Sequence, residues 1–324
     1  MIEVARYRLP LARPMRFAGR TFTEREGFFL RTEGAIGEVA PLPGAHRETA
    51  EECLAVLRRH AAGESVALPT GLAFGLSVAT AIARQEPLVA RPLANRCPVN
   101  ALFTGSTAEA DAALARGAFD GFAAVKVKVG SDPLGDRGVV ERLLAGLPPA
   151  TALRLDANRQ LDLASAKELL RGLDIGRIEY IEEPLADPLQ LPALHFATGV
   201  GLALDESLLD PFLRSALETA PGVVAHVLKP SLHGSLAAAR ARAERSARQG
   251  IRTTLSNALE TSYTLRVLAR FATWLANPSP CHGLATGGML LGDPTPPSSI
   301  VGGCLATDDP LLVPAIAFVP LAHA

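Results

Sequence analysis

Along this chain the hydrophobic and polar positions follow two different patterns, and the change between them falls near residue 98. Before that point, as far as about residue 39, short strand-like runs alternate with breaks that contain glycine, which is typical of antiparallel strands. After it, short apolar runs alternate with stretches of helical periodicity seven or eight times. The second pattern favours a parallel (β/α) barrel over an open sheet.

The N-terminal part is expected to form an α+β layer. Its strands are predicted at 3–10, 27–32 and 35–40, and its helices at 48–60 and 73–84. Segment 13–26 is polar and basic, and it is interpreted as a loop, either an irregular surface loop or a lid. A last strand is predicted within 311–319, and the tail is expected to return to this layer.

The part after residue 98 is predicted to contain eight strands with helices between them. The strands are expected at 100–104, 124–129, 152–156, 178–182, 201–205, 224–229, 253–256 and 282–286. Helices are expected, among other places, at 162–173, 235–249 and 261–271. The predicted division is therefore an N-terminal α+β domain at 1–97, a barrel domain at 98–300 and a C-terminal tail at 301–324.

Composition points to a protein that handles small molecules. A net charge of -1 over 324 residues and a pI near 6.7 provide no field for nucleic acid or for an anionic membrane. The four cysteines lack CxxC or CxxH spacing, so neither a zinc site nor a disulfide framework is indicated. No run approaches the roughly 18 apolar residues of a membrane span. We expect a cytoplasmic protein with a small-molecule substrate, and the oligomeric state stays open.

Two lysines stand at alternate positions of the strand predicted at 124–129. Lys126 and Lys128 therefore point to the same face, and three valines point to the other. Burying two ammonium groups side by side is costly unless negative groups stand opposite. The strand thus predicts acidic partners nearby in the fold.

Acidic residues stand at the ends of the next three predicted strands. From Lys128 the chain advances 28, 26 and 23 residues to Asp156, Glu182 and Asp205, and 24 more to Lys229. In a (β/α) barrel the carboxyl ends of the strands converge on one pocket. Three carboxylates on successive strands supply the hard oxygen ligands that magnesium prefers. The alternative is a network of internal salt bridges.

This set of charges suits the removal of a proton beside a carboxylate. A divalent ion on a substrate carboxylate stabilises the enediolate that forms when the adjacent carbon loses its proton. Lys128 is interpreted as the base, because Lys126 and the metal would disfavour its protonated form. Lys229 is expected to flank the substrate on the other side.

Further polar residues lie close to these strand ends. Arg154 shares the strand face of Asp156 and Asn158 and therefore points inward, where it either binds a substrate carboxylate or balances the acids. The residues interpreted as structural or as packing residues are Glu183, Glu206, His226 and His282.

At these strand ends the sequence resembles the enolase superfamily. Members have a Lys-x-Lys strand, an Asp-x-Asn strand, a Glu-Glu-Pro strand, an Asp-Glu-Ser strand and a late lysine around a magnesium site, and this chain has all of them between Lys126 and Lys229. The resemblance covers nearly the whole chain. It implies a (β/α)7β modified TIM barrel, with a capping domain made from the N-terminal part and the C-terminal tail.

Within the superfamily the chain is similar to the o-succinylbenzoate synthase family. The likeness lies in segments 37–44 and 73–77, in Glu48-Thr49, and in Arg154 just before the first acid. It implies a dehydratase, a carbon-oxygen lyase, that depends on Mg²⁺. The reaction is the syn-dehydration of 2-succinyl-6-hydroxy-2,4-cyclohexadiene-1-carboxylate to o-succinylbenzoate through an enediolate, in menaquinone or phylloquinone synthesis.

The resemblance also implies a role for each residue of the site. Asp156, Glu182 and Asp205 would bind Mg²⁺, with Mn²⁺ as a second candidate ion. Lys128 would remove the α-proton and then assist departure of hydroxide from the same face, and Lys229 would stabilise the enediolate. The implied supporting and substrate-binding residues are Lys126, Arg154, Asn158, Ser256, Glu260, Thr261 and Ser262.

The stretch 255–262 corresponds to a segment near the succinyl group in the family. Ser256, Thr261 and Ser262 offer hydroxyls there, and Thr261 opens a predicted helix whose backbone N–H groups suit a carboxylate. Segment 13–20 would act as a lid. Asn-Ala-Leu before Glu260 is longer than the pattern of some members, so the hydroxyl that meets the succinyl carboxylate stays open.

Two alternative functions stay open on the sequence alone. One is an N-acylamino acid racemase, which would use Lys128 and Lys229 as opposing acid and base. The other is a non-catalytic metabolite-binding protein with this fold, and the intact set of lysines and acids argues against it. Segment 281–286 has no Asp-x-Asp, the feature that would indicate a dipeptide epimerase.

Overall fold

The computed structural model describes residues 2–17 and 19–323. Its strands are β1 (Glu3–Phe17), β2 (Arg20–Thr32), β3 (Ala35–Val39), β4 (Arg96–Pro98), β5 (Ala101–Phe103), β6 (Ala124–Lys128), β7 (Ala152–Asp156), β8 (Ile178–Glu182), β9 (Leu202–Leu204), β10 (Val223–Leu228), β11 (Arg252–Leu255), β12 (Ile300–Val301), β13 (Cys304–Ala306) and β14 (Val319–Pro320). Its helices are α1 (Ala50–Ala61), α2 (Thr70–Ala83), α3 (Pro87–Ala90), α4 (Thr107–Ala115), α5 (Pro133–Gly146), α6 (Leu163–Leu170), α7 (Leu191–Thr198), α8 (Pro211–Leu217), α9 (Pro230–His233), α10 (Leu236–Arg248) and α11 (Ser262–Ala272).

Seven parallel strands, β5 to β11, form the larger sheet in the order in which they occur along the chain. At least one helix follows each of these strands. The registers place Lys128 beside Asp156, and Asp156 beside Glu182. The expected alternation of parallel strands and helices is confirmed, and it brings the charged strand ends to one edge of the sheet.

A short extended segment, without a further regular strand, joins the two edges of this sheet. His282 pairs with Val99, next to β5, and Gly283 pairs with Ser256, just after β11. The N–H of Gly283 donates to the carbonyl of Leu255 at 2.7 Å. The strand predicted at 282–286 is therefore wrong, because only His282 and Gly283 make these bridges before the chain turns into a 3-10 helix at Gly287–Met289.

A four-stranded antiparallel sheet, in the order β14-β1-β2-β3, forms a separate layer that we call the capping sheet. Helices α1 and α2 pack on it through an apolar cluster. The largest contributors to that cluster include Phe28, Leu30, Leu54, Leu57 and Leu72. The strand predicted within 311–319 is limited to β14, where Val319 pairs with Val4. The domain boundaries at residues 97 and 300 stay a prediction.

Residues 13–17 and 20–26 belong to two paired antiparallel strands, so the interpretation of segment 13–26 as a loop is wrong. Strand β1 continues to Phe17, and β2 begins at Arg20. Met15 lies opposite Phe22, after a shift in register that follows Pro10. Proline and clustered charges interrupt the alternation here and obscured the strands in the sequence, whereas the long ladder with β2 supplies the pairing. Closure of this hairpin as a lid stays a prediction.

The described residues contain no helix with the length and apolar character that crossing a membrane requires.

The capping sheet and helix α2 approach each other closely at two glycines. A Cβ atom built on Gly37 would lie 1.9 Å from the carbonyl oxygen of Gly75. One built on Gly75 would lie 2.8 Å from the carbonyl oxygen of Glu38. Because a backbone oxygen lies within 2.8 Å of the added carbon at each position, only glycine fits without a shift of the backbone, and the contact fixes β3 against α2.

We expect Gly37→Ala to lower the free energy of unfolding by about 3 kcal/mol, because backbone must move to admit the methyl group. Urea-induced unfolding followed by circular dichroism measures this. Gly288→Ala is the control, since a Cβ there would meet no described atom within 4 Å, and it should change stability by less than about 0.5 kcal/mol. Equal stability of Gly37→Ala and the wild type would contradict the close approach.

Candidate active site

Lys126 is the more buried member of the lysine pair on β6. Its Nζ lies 2.8 and 2.9 Å from the two carboxylate oxygens of Glu182 and 2.7 Å from Oδ2 of Asp156. Burial alone would lower the pKa of Lys126, but the charges of Asp156 and Glu182 outweigh it and raise the pKa well above its usual value. Lys126 is thus a fixed cation that neutralises two acids.

Lys128 stands two residues further along the same strand face and is more accessible. Its side chain is 39% exposed, against 14% for Lys126. Its Nζ lies 2.6 Å from both Oδ2 of Asp156 and Oδ1 of Asn158. Burial opposes ionisation of Asp156, but Lys126 and Lys128 hold the pKa of that carboxyl well below its usual range. Lys128 therefore combines a fixed position with access from outside.

Lys229 faces this pair from the far side of the acids. Strands β7, β8 and β9 lie between β6 and β10, and Lys229 follows β10 directly. Its Nζ forms an ion pair with Oδ2 of Asp205. Burial would lower the pKa of Lys229, but Asp205 and Glu206 raise it above its usual value. The site thus has a second fixed cation opposite Lys128.

Three carboxylates, Asp156, Glu182 and Asp205, lie at the ends of successive strands, and each is at most 3% exposed. Burial raises the pKa of Glu182, and its neighbour Asp156 raises it further. In the part of the chain that the structure describes, no group of three or more His, Cys, Asp or Glu side chains is arranged to hold a metal ion. Lysine ammoniums contact all three acids. Buried hard oxygens that repel one another and already attract cations fit a divalent ion in charge and in chemistry.

Most polar groups of the loop after β11 are used within the protein. The N–H and the hydroxyl of Thr261 both donate to Glu38, at 2.9 and 2.8 Å. Glu260 accepts hydrogen bonds from the hydroxyl of Ser231 and the N–H of Ala258, both at 2.6 Å. A carboxylate of the protein, Glu38, thus accepts both donors of Thr261, and a contact of Thr261 with a substrate carboxylate stays a prediction. Glu260 is likewise engaged internally.

Two serines of the predicted substrate segment have hydroxyl groups that are weakly hydrogen-bonded or have no partner among the described residues. The hydroxyl of Ser256 is partly buried and lies 3.4 Å from the carbonyl oxygen of Gly283. The hydroxyl of Ser262 is buried and has no hydrogen-bond partner among the described residues, while its N–H donates to Asp293 at 2.8 Å. Ser256 and Ser262 stay predicted contacts of the substrate.

Comparison with known proteins shows the family of this chain. The family model "MenC, N-terminal domain" matches residues 1–83, and "Enolase C-terminal domain-like" matches residues 108–306. The o-succinylbenzoate synthase of Vibrio cholerae serotype O1 is 35% identical over 315 residues, which cover 91% of this chain and 92% of the relative. The chain belongs to the o-succinylbenzoate synthase family of the enolase superfamily. A second relative with this name, from Klebsiella pneumoniae, is 33% identical and covers 88% of this chain and 90% of its own length.

Solved structures of the enolase superfamily share the fold. The o-succinylbenzoate synthase of Thermosynechococcus elongatus BP-1, complexed with Mg in its active site, is 26% identical with a TM-score of 0.69, covering 87% of this chain and 92% of that one. The L-Ala-D/L-Glu epimerase of Bacillus subtilis has a TM-score of 0.79 at 19% identity, with 94% and 95% of the chains covered, and shows the fold alone. The enolase-like fold and the expectation of an enzyme are confirmed.

In this member of the o-succinylbenzoate synthase family, Arg154 lies deep in the barrel and is fully buried. Its Nε donates to Glu179 at 2.7 Å. Its Nη1 donates to Oδ1 of Asn100 at 3.1 Å and to the carbonyl of Cys281 at 3.0 Å. The structure thus favours charge balance over substrate binding for Arg154. Neither Glu179 nor Asn100 is predicted from the sequence as a partner of Arg154, because neither belongs to the regular series of charged strand ends.

The second acid of the Glu-Glu-Pro motif positions the neighbouring strand end. Glu183 accepts hydrogen bonds from the N–H of Asp205 at 2.9 Å and from the N–H of Ser207 at 2.7 Å. Glu206 accepts one from the amide of Asn158 at 3.3 Å. These contacts agree with the structural roles expected for Glu183 and Glu206.

Three buried polar residues outside the predicted site lie where the capping sheet meets the barrel loops: Arg25, Glu38 and His46. Glu38 is a charged residue within a predicted strand of small and apolar residues. A charge at such a position indicates a buried polar contact, because burying a charged side chain without a partner is unfavourable.

His226 and His282 are buried and hydrogen-bonded, in agreement with their interpretation as packing residues. Nδ1 of His226 lies 2.7 Å from the hydroxyl of Ser246, and Nδ1 of His282 accepts the N–H of Leu255 at 3.1 Å. Burial lowers the pKa of His226 to about 4 and the pKa of His282 to about 3.

We expect stability to fall as the pH drops below about 6.5, because the unfolded chain then binds protons that neutral, buried His282 does not. The folded-state pKa is depressed, so the loss grows until the pH reaches about 3. Between pH 7.5 and pH 5, His282 should account for about 2 kcal/mol of unfolding free energy. Urea unfolding at both values should show this difference reduced in His282→Asn and retained in His60→Asn, at an exposed position on α1. An unchanged pH dependence in His282→Asn would contradict the assignment.

Proposed function

We propose that this enzyme catalyses the Mg²⁺-dependent syn-dehydration of 2-succinyl-6-hydroxy-2,4-cyclohexadiene-1-carboxylate to o-succinylbenzoate, in menaquinone or phylloquinone synthesis. The observation that carries the proposal is that Lys128 and Lys229 stand on opposite sides of three buried carboxylates. Relatives named o-succinylbenzoate synthase, at 33% and 35% identity over most of the chain, support it.

Asp156, Glu182 and Asp205 are the residues that would hold Mg²⁺, because they supply hard, buried oxygens on adjacent strands. When bound, the ion supplies positive charge for a substrate carboxylate whose adjacent carbon is losing a proton. Lys126 contacts Asp156 and Glu182 and supplies a positive charge to both carboxyl groups. Glu183, through the N–H of Asp205, orients the third acid.

Lys128 carries out both proton transfers. Its Nζ accepts the α-proton, so the C–H bond breaks and the electron pair stays on the carbon that bears the carboxylate. The same nitrogen then gives that proton to the ring hydroxyl, the C–O bond breaks, water leaves and the ring becomes aromatic. Because one residue serves one face, the elimination is syn. Lys229, a fixed ammonium on the other side, stabilises the anionic ring.

An N-acylamino acid racemase activity is the second candidate. Lys128 and Lys229 on opposite sides also suit removal of a proton and its return across one carbon. Incubation of N-acylated amino acids in deuterated water separates the two activities. Incorporation of deuterium with inversion supports the racemase, whereas loss of water from the diene carboxylate without such exchange supports the dehydratase.

We expect EDTA to abolish conversion of the diene carboxylate and added Mg²⁺ to restore it, because the ion would supply the positive charge that stabilises the substrate carboxylate while the adjacent carbon loses its proton. The measurement is the appearance of o-succinylbenzoate by chromatography. EDTA presaturated with Mg²⁺ is the control and should leave turnover unchanged. Full turnover in excess free EDTA would refute metal dependence.

We expect Lys128→Ala to lower kcat by about 10³- to 10⁴-fold, since both proton transfers lose their group. Binding of Mg²⁺, measured by calorimetry, should persist because the three acids are intact. Lys167→Ala, which removes an exposed lysine from α6, is the matched control and should keep wild-type kcat. Undiminished turnover of Lys128→Ala would sink the lysine-base mechanism.

A further inference from the structure

A buried carboxylate connects the capping sheet to the barrel. Glu38, on β3, is 1% exposed. It accepts hydrogen bonds from the hydroxyl of Tyr7 at 2.6 Å, from the N–H and hydroxyl of Thr261 at 2.9 and 2.8 Å, and from the hydroxyl of Thr264 at 2.6 Å. Tyr7 belongs to the capping sheet, whereas Thr261 and Thr264 belong to the start of α11. The carboxylate is therefore shared between the two parts of the fold.

Loss of the contact between Glu38 and the start of α11 would lower the stability of the protein, because it would leave buried polar groups without partners. The first turn of a helix has N–H groups without partners in the helix, and it favours a negative charge. Glu38 satisfies the N–H of Thr261, which is fully buried. Without the carboxylate, that N–H and two threonine hydroxyls would lose their acceptor, at a cost of about 1–3 kcal/mol for each buried group.

From α11 the connection continues to the turn that carries Lys229. Glu260 directly precedes Thr261, and its Oε1 accepts the hydroxyl of Ser231 at 2.6 Å. Ser231 lies two residues after Lys229, in the short helix α9. A chain of buried contacts thus leads from Glu38 on the capping sheet to a cation of the active site.

Two further side chains of the capping part hold the same loops. Arg25 donates to two backbone carbonyls of the loop after β11, at 3.1 and 3.3 Å, and to those of residues 40 and 41, at 2.7 and 2.9 Å. Nδ1 of His46 accepts the N–H of Leu42 at 2.9 Å, so its Nε2–H donates to the carbonyl of Ser231 at 3.3 Å. In the turn that carries Lys229, the backbone carbonyl of Ser231 therefore contacts His46, and the hydroxyl of Ser231 contacts Glu260.

We propose that Glu38 is a positioning residue for the reaction: by fixing the start of α11, it holds Glu260 against Ser231 and so fixes the turn that carries Lys229. Displacing Lys229 from the reacting ring would slow the chemical step more than it would weaken substrate binding, because its charge acts on the anion that forms during the reaction. The kinetic part of this inference rests on the proposed function, and the geometric part does not.

Glu38→Gln and Tyr7→Phe form a matched pair of variants. Glu38→Gln keeps the size of the side chain but removes its charge and replaces one acceptor oxygen by an NH₂ group among donors. Tyr7→Phe removes a hydrogen bond to the same carboxylate on the capping side and leaves the contacts with Thr261 and Thr264. Both variants are expected to unfold at lower temperature, so stability is measured only to correct each assay for the folded fraction.

In the full chain we expect Glu38→Gln to lower kcat by about 10- to 100-fold and to change KM by less than about threefold, whereas Tyr7→Phe keeps kcat within about twofold of the wild type. Ser231→Ala should lower kcat similarly, and the double variant with Glu38→Gln should fall little below either single variant, since both break one connection. The inference would be overturned if the fold-decrease in kcat of the double variant equalled the product of the two single decreases. Equal kcat for Glu38→Gln and Tyr7→Phe would also overturn it.

Amide hydrogen exchange supplies a measurement that needs no substrate. The N–H of Leu232 donates to the carbonyl of Lys229 at 2.9 Å and reports on this turn. We expect it to exchange faster in Glu38→Gln than in Tyr7→Phe, and equal exchange in the two variants would overturn the inference even where the proposed function holds. A wild type inactive on the diene carboxylate would instead refute the proposed function, and the exchange result would still decide the positioning role.

Discussion

Ammonium and carboxylate groups neutralise one another at the carboxyl edge of the parallel sheet. The surrounding elements must keep these groups in contact, because each buried charge requires a partner of opposite sign. A buried charge without a partner costs several kcal/mol, so neither the lysines nor the acids are tolerable alone. Lys126 meets this requirement for Asp156 and Glu182, and Lys229 meets it for Asp205. The barrel brings these groups together because all its parallel strands end at the same edge.

Lys126 and Lys128 differ in the groups that surround them, and they therefore differ in role. Lys126 is enclosed by two carboxylates and stays a cation. Lys128 contacts one carboxylate and the amide of Asn158, and part of its side chain is exposed. Their positions two residues apart on one strand give them the same direction and different exposure, 14% for Lys126 and 39% for Lys128.

The capping sheet is more than a cover over the barrel. The close approach of Gly37 and Gly75 holds β3 against α2, and Glu38, next in the chain, then reaches the start of α11. Both parts of the fold supply polar groups to this junction, and those groups are buried. A displacement of the capping sheet would therefore leave buried donors and acceptors unsatisfied, which ties the sheet to the loops around the active site.

The sequence by itself determined which residues end the barrel strands and in which direction they point. Alternation with period two sets Lys126 and Lys128 on one face, and the regular spacing of Asp156, Glu182 and Asp205 follows from repeated strand–helix units. Only the tertiary structure decided the partners of the remaining polar groups. Thr261 donates to Glu38, 223 positions away, and a contact at that separation leaves no local pattern in the chain, because it depends on how two separately formed layers meet.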